Sequence, residues 1–283
     1  RSVWIRALTD RVWALLARTL GWFGEREALD APPPRTYPAW TGRAIDGLLL
    51  AVALVAAWRC IAFIHVEVGW GEALRVVGLG CITLARVMLL IVLASLFWVP
   101  VAVWIGLRPV YAQKVQALAQ FLAAFPVNLI YPLVVYMVVH LHLNLNIWLS
   151  PLMVFGTQWY ILFNVVAGAS TLPTELRLAA DNLGLTGWLK WKRVYLPAVF
   201  PSFVTGAITA SGGSWNASIV AEYVTWGKTS LVADGLGSYI KQMTDAGDFH
   251  RVALGIGVMC VFVMLLNRFF WRKLYLLAED RSR

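Results

Sequence analysis

The sequence predicts an all-α, polytopic membrane protein: six transmembrane helices, an N-terminal amphipathic helix ahead of them, and a short helical knob in one polar loop. Three observations carry this. Residues of the hydrophobic class make up 60% of the 283 residues and charged ones only 14%, whereas soluble domains carry about 25% charged residues. The mean hydropathy is +0.69, and the apolar residues fall in blocks near the roughly 20 residues that a helix needs to cross a bilayer. The net charge of +9 sits in particular loops, with no basic stripe interleaved with exposed aromatics. That pattern fits membrane topology and excludes nucleic acid as the partner.

Residues 1–43 form the first segment. Trp4, Leu8, Val12, Leu15, Leu16, Thr19 and Phe23 recur at helical spacing, interrupted by Arg1, Arg6, Arg11 and Arg18. Such an amphipathic helix suits an anionic membrane surface or the protein's own flank. Arginines recur through it and no long apolar core appears, which excludes a signal peptide. Ala31-Pro-Pro-Pro-Arg35 then acts as a stiff linker. The chain opens on Arg1 without a Met, so it is expected to be a fragment, a processed product or a partial chain.

Residues 44–278 hold six apolar spans, near 44–64, 79–106, 116–139, 147–168, 199–222 and 252–271, and residues 279–283 are a short tail. The second span is long enough to extend beyond the hydrocarbon at one end. Pro100, Pro126 and Pro132 lie inside spans two and three and should bend them. With the N-terminus in the cytoplasm, Lys and Arg concentrate in 1–43, 107–115, 169–198 and 268–283, leaving only Arg75, Lys228, Lys241 and Arg251 in the opposite loops. The positive-inside rule then puts both termini in the cytoplasm. Cys60, Cys81 and Cys260 all fall in apolar runs without a C-x-x-C, and His140 and His142 have no nearby carboxylate. No metal site and no disulfide framework is expected.

The polar loop between spans four and five, residues 173–197, is the most informative stretch. Pro173 suits the first turn of a helix and Glu175 complements its positive end. Leu176, Ala179, Ala180 and Leu183 recur at i, i+3, i+4 and i+7, one apolar face kept low by the alanines. Gly184 is a C-terminal stop. Trp188, Trp191 and Tyr195 give a second, aromatic face, with Lys190, Lys192 and Arg193 at headgroup level; Leu196-Pro197 should end this element and start span five.

The register Ala179-Ala180-x3-Gly184-x9-Val194-x-Leu196-Pro197 resembles the EAA loop of permease subunits of type I ABC importers, E-A-A-x3-G-x9-I-x-L-P. Val194 replaces the isoleucine and Leu178 replaces the glutamate, which puts one polar contact in doubt. The resemblance covers roughly 79–280. It includes Thr83-Leu-Ala-Arg-Val87, Gln120-Phe-Leu-Ala-Ala-Phe-Pro126, Trp215-Asn-Ala-Ser-Ile-Val-Ala-Glu222 and Gly235-Leu-Gly-Ser-Tyr-Ile240. The last two are similar to the branch that carries nitrate, sulfonates, taurine or bicarbonate. Gly212-Gly-Ser-Trp-Asn-Ala-Ser218, with Asn267-Arg268 and Trp271-Arg272, looks closest to duplicated anion-type permeases, of which this chain would be the C-terminal half.

The resemblance implies a permease in the bacterial inner (plasma) membrane that imports a small anion. Its knob would be a coupling helix docked on an ATPase through Leu176, Leu178, Ala179, Ala180, Leu183, Gly184, Leu196 and Pro197. It implies two ATP-binding subunits, a second permease copy or fused half, and a periplasmic solute-binding protein; lipid surrounds the spans. This chain would bind no cofactor, with ATP and Mg on the partner ATPase. No P-loop, H-E-x-x-H or paired intramembrane carboxylates occur in the sequence, so no catalytic residue is expected. Two other functions fit the same architecture: import of a neutral or cationic solute such as a thiamine precursor, and a non-transporting scaffold for an ATPase.

A solute route points to span five. All of 205–214 except Ile208 are small, with Ser211, Ser214, Ser218 and Glu222 on one stripe and Thr205, Thr209, Gly212 and Asn216 on its neighbour. Small residues allow close helix packing; hydroxyls and an amide on one face also offer the weak, replaceable contacts a passage needs. Both readings stand for each residue. Asn128 and Asn164 are candidates for the same cavity. Arg86 is a costly charge inside span two: it could meet an entering anion, pair with Glu222 or Glu72, or snorkel.

Overall fold

The computed structural model describes residues 39–226 and 229–282; the expected amphipathic helix and Pro-rich linker lie outside the described residues. Two compact units are distinguished, residues 1–59 and 60–283. The described part of the first is the opening of helix α1, Ala39–His65, in which Ala44–His65 is apolar enough to cross a membrane.

In the second unit, α2 (Trp70–Gly106) leads into α3 (Pro109–Ala124), a 3₁₀ turn at Val127–Leu129 and α4 (Tyr131–His140). Then follow α5 (Leu145–Trp148), α6 (Pro151–Phe155), α7 (Gln158–Ser170), α8 (Thr174–Asn182) and α9 (Gly187–Lys190). A π-helical turn at Trp191–Tyr195 joins α9 to α10 (Leu196–Ala221). The hairpin β1 (Tyr223–Trp226) and β2 (Thr229–Val232) pairs antiparallel with Tyr223 opposite Val232. The chain closes with α11 (Leu236–Asp245), α12 (Phe249–Leu266), a second π turn (Asn267–Trp271) and α13 (Arg272–Ser282).

Helices α2, α7 and α10 form the centre, with α3 against α7, and α11 against α10 and α12. Val76, Val87 and Val103 of α2, Val165 and Val166 of α7, and Ala207 and Ala210 of α10 are buried in one core cluster. Glycine lets two of these helices touch: a Cβ on Gly206 would sit 2.7 Å from the Tyr160 carbonyl oxygen of α7. That is the close backbone approach small residues permit in membrane helices.

Among the described residues, four helices are long and apolar enough to cross a membrane: Ala44–His65, Trp70–Gly106, Gly187–Ala221 and Phe249–Ala278. Span three is bent, as its prolines led one to expect; span four is bent without such a signal, and span two is not broken at Pro100. Spans three and four are each a bent pair, 73° between Pro109–Ala124 and Val127–His140, and 42° between Leu145–Phe155 and Gln158–Ser170. The cause is local. Phe125, the residue before Pro126, is extended with ψ 132°, because the proline ring disfavours the helical region for its predecessor. Pro132 falls in the first turn of α4, where its missing N–H costs nothing. Pro100, by contrast, lies within a continuous α2.

The knob also departs from expectation at its end. Leu196-Pro197 does not close it: the helix that begins at Gly187 runs on to Ala221. The π turn explains how. The Leu196 amide reaches back to the Trp191 carbonyl, a wider i→i+5 closure that shifts the hydrogen-bond ladder just before Pro197, which has no amide to contribute.

Candidate functional site

The knob is built on a glycine. Gly184 adopts φ +69°, the left-handed conformation other residues reach only with strain. Its amide bonds the Asp181 carbonyl at 3.0 Å and the Leu185 amide bonds the Ala180 carbonyl at 3.0 Å. This pair is a Schellman motif, which satisfies the last carbonyls of α8. Lys190 of α9 reaches back to Asp181 at 2.5 Å and lies over the Tyr195 ring, so α8 is tied to the root of α10.

The apolar residues of α8 are divided between inside and outside. Ala180 is 3% exposed, whereas Leu176, Leu178 and Leu183 are 45%, 58% and 77% exposed. Ala179 and Gly184 are also exposed, while Leu196 and Pro197 are half-buried at the start of α10. Trp188 and Leu189 extend the outward apolar surface. A short, polar-framed helix that keeps three leucines in the open presents a surface suited to a partner.

The two stripes of α10 have opposite fates. Ser211, Ser214 and Ser218 are buried. The Ser214 hydroxyl shares a 2.9 Å hydrogen bond with Thr157 of α7, and Ser218 donates to the Trp215 carbonyl at 2.7 Å. Thr205, Thr209, Gly212 and Asn216 are exposed on the neighbouring face. Thr209 donates to the Thr205 carbonyl at 3.0 Å; no hydrogen bond holds the Asn216 amide among the described residues. Asn164 donates to the Tyr160 carbonyl at 2.8 Å, and Asn128 is exposed in the turn at the break between α3 and α4.

Arg86 pairs with Glu222, not with Glu72. Glu222, 1% exposed at the end of α10, accepts from Arg86 at 2.5 Å, Thr83 at 2.9 Å, and the amides of Gly237 at 2.8 Å and Ser238 at 3.2 Å. Arg86 also donates to the Asp234 carbonyl at 3.1 Å, and the Asp234 amide donates to the Asn146 side chain at 2.7 Å. Gly235 makes room: a Cβ there would lie 2.2 Å from a Glu222 carboxylate oxygen. This clasp joins α2, α10, the segment after the hairpin, and α11. Sequence reasoning held Arg86–Glu222 as one of several pairings but missed Thr83, Asn146 and Asp234. The hydroxyl in Thr83-Leu-Ala-Arg and the two glycines of Gly235-Leu-Gly were the available signals.

Near the same end of the unit, Glu72 accepts from Arg251 at 2.8 Å and from the Tyr239 hydroxyl at 3.0 Å. Burial, then the Glu72 carboxylate, raises the Tyr239 phenol above its ordinary range. Asp248 caps α12 by accepting from the Arg251 amide at 3.1 Å and pairs with its guanidinium at 2.5 Å. Those hydrogen bonds hold its carboxyl below the aspartate range.

This arrangement, a helical bundle of membrane length with broken spans and an exposed knob at the root of a long helix, is that of a transport permease. Residues 98–276 match the family of binding-protein-dependent transport system inner membrane components, and the chain belongs to it. It is also similar to the nitrate import permease protein NrtB of Leptolyngbya laminosa, 31% identical over 109 residues. That match covers 38% of this chain and 37% of the relative's length.

Proposed function

We propose that this chain is the transmembrane subunit of an ATP-driven importer for a small anion, nitrate or a chemically similar oxyanion. The exposed leucines of the knob, in EAA-loop register, carry the ATP-driven part of the reading. The likeness to a nitrate permease supports the anion.

In this reading the chain crosses the membrane six times, each bent pair serving as one span, with 173–197 and both termini in the cytoplasm. Residues 1–43 form the cytoplasmic lead, 44–278 the permease domain and 279–283 the tail. Two ATP-binding subunits grip two such knobs, the second supplied by another copy or a fused half. A solute-binding protein delivers the anion at the hairpin end. ATP and Mg are held by the ATPase, and none is required on this chain.

The mechanism follows from one mechanical fact. The helix from Gly187 to Ala221 is 35 residues long, roughly 52 Å at 1.5 Å per residue. It starts at the knob, carries the exposed Thr205, Thr209, Gly212 and Asn216 face, and ends at the Glu222 clasp. When the ATPase subunits close, α8 moves with them, and the Lys190–Asp181 pair and the Schellman turn pass that motion to the helix. The polar face then turns between the two sides, offering weak contacts that release the solute. Ser214 ties the helix to Thr157 at the start of α7, and Arg86 anchors its far end.

The test is reconstitution in proteoliposomes with the partner ATPase and binding protein. ATP hydrolysis and uptake are measured against nitrate, bicarbonate, taurine, a thiamine precursor and an uncharged sugar. Stimulation by nitrate or another small anion is expected. Stimulation by the neutral or cationic solutes alone, or an ATPase that binds the chain while no solute is moved, contradicts the proposal.

A further inference from the structure

A cavity of about 410 Å³ opens beside the knob, lined by Val103, Trp104, Leu107, Arg108, Arg177, Trp191 and Tyr195. Its size falls within the range of small-molecule sites, about 300–1,000 Å³. Its chemistry is one-sided, with two guanidinium groups and no carboxylate among the lining residues. Arg177 makes no ion pair and no side-chain hydrogen bond with any described residue. Arg108 donates only to the Trp104 carbonyl, at 2.7 Å, and stacks over the Trp104 ring 4.1 Å from its centroid. Stacking fixes the guanidinium plane while leaving most of its donors open.

The position is equally specific. The cavity lies where the apolar run of α2 ends at Gly106, so the end of that span sets its depth. Trp104, Trp191 and Tyr195 gather there, and such aromatics mark headgroup level. Val103 and Leu107 supply an apolar wall on the side of the span. Paired arginines match phosphate oxygens in a fork geometry, and basic pockets at the cytoplasmic ends of membrane helices hold anionic headgroups.

We infer that this cavity is a binding site for a phosphate-bearing headgroup, that of an anionic phospholipid from the surrounding leaflet. Arg108 and Arg177 take the phosphate, the aromatic side chains frame it, and Val103 and Leu107 meet the start of the acyl chains. The walls come from both α2 and the knob, Arg177 belonging to α8 and Trp191 to the π turn. A bound lipid therefore braces the knob against the end of span two and makes its posture depend on membrane composition. The inference rests on the membrane boundary lying at this end of α2; it does not depend on which solute is carried.

The experiment is native mass spectrometry of the delipidated full chain titrated with phosphatidylglycerol, with phosphatidylcholine, and with phosphatidylglycerol in the presence of equimolar inorganic phosphate. The wild type should prefer phosphatidylglycerol over phosphatidylcholine by about tenfold, because both offer a phosphate but the choline cation is disfavoured beside two guanidinium groups. The R108Q/R177Q variant should lose that preference. R177Q alone, which leaves the stacked Arg108 in place, should lose part of it and serves if the double variant does not fold. Equal binding of the two lipids by the wild type, or an undiminished preference in R177Q and the double variant, overturns the site. Displacement of phosphatidylglycerol by equimolar phosphate overturns the lipid and assigns a free phosphate instead. None of these outcomes bears on solute-stimulated ATP hydrolysis, so the two proposals fail separately.

Discussion

Glu222 is the residue with the most at stake. It is a buried carboxylate with four donors, and removing it strands Arg86 and two amides. E222A should lower stability by about 3–5 kcal/mol, the scale for breaking a buried pair, seen as a fall in the unfolding midpoint in detergent. E222Q, which can keep some hydrogen bonds, should cost less. The faces of α10 make a second contrast. N216L should slow uptake with an unchanged unfolding midpoint, because Asn216 is exposed and held by no described partner. S214V should instead lower stability by about 1 kcal/mol, since it removes the buried cross-helix hydrogen bond to Thr157, whose hydroxyl keeps only its 3.3 Å bond to the Val154 carbonyl. Asp248 gives a pH dependence. Arg251 depresses its carboxyl below 3.8, so its contribution is complete above that pH and disappears as the pH falls through the depressed value. D248N should therefore differ from wild type at neutral pH and converge with it in acid, as a thermal unfolding series from pH 7 downward would reveal.

At the scale of elements, the knob and the helix it feeds make one device. G184V should strain the left-handed turn at a cost of about 1–2 kcal/mol. Open space around the position leaves packing undisturbed, so the loss should appear in knob geometry: weaker ATPase co-purification with an intact bundle. Much of this device was legible in the chain. The glycine stop, the apolar spacing of α8 and the small face of α10 are local patterns, and local patterns are what periodicity reads. Three features were not. Ala180 has the same spacing as its exposed neighbours, and only tertiary packing turns it inward; a bulky residue there would disturb the interior, so it is a poor probe of docking. Hydropathy averages over a window, so it joined α6 to α7 across the break at Gly156-Thr157, where no proline stands, whereas Pro126 and Pro132 had marked the bend between α3 and α4. The run through Pro197 depended on a π turn, which leaves no signature in apolar spacing.

Across the whole molecule, the fold places two polar structures at opposite ends of one long helix: the knob at Gly187 and the clasp at Glu222. Arg86 shows why charge alone misleads in a membrane protein. A lone arginine in a span could be an ion contact, an ion pair or a snorkelling side chain; here it pairs with Glu222, 136 residues along the chain, and no sequence window contains both to decide among them. The central claim is that the exposed leucines of α8 couple an ATPase to transport. It is tested most directly by anion-stimulated ATP hydrolysis in proteoliposomes with the L178D/L183D variant, whose changes lie on the open surface. The account predicts an intact, correctly folded permease whose stimulated hydrolysis falls at least about tenfold, matching the loss of a kcal/mol-scale apolar contact at each leucine. Stimulated hydrolysis and ATPase co-purification equal to wild type would contradict it.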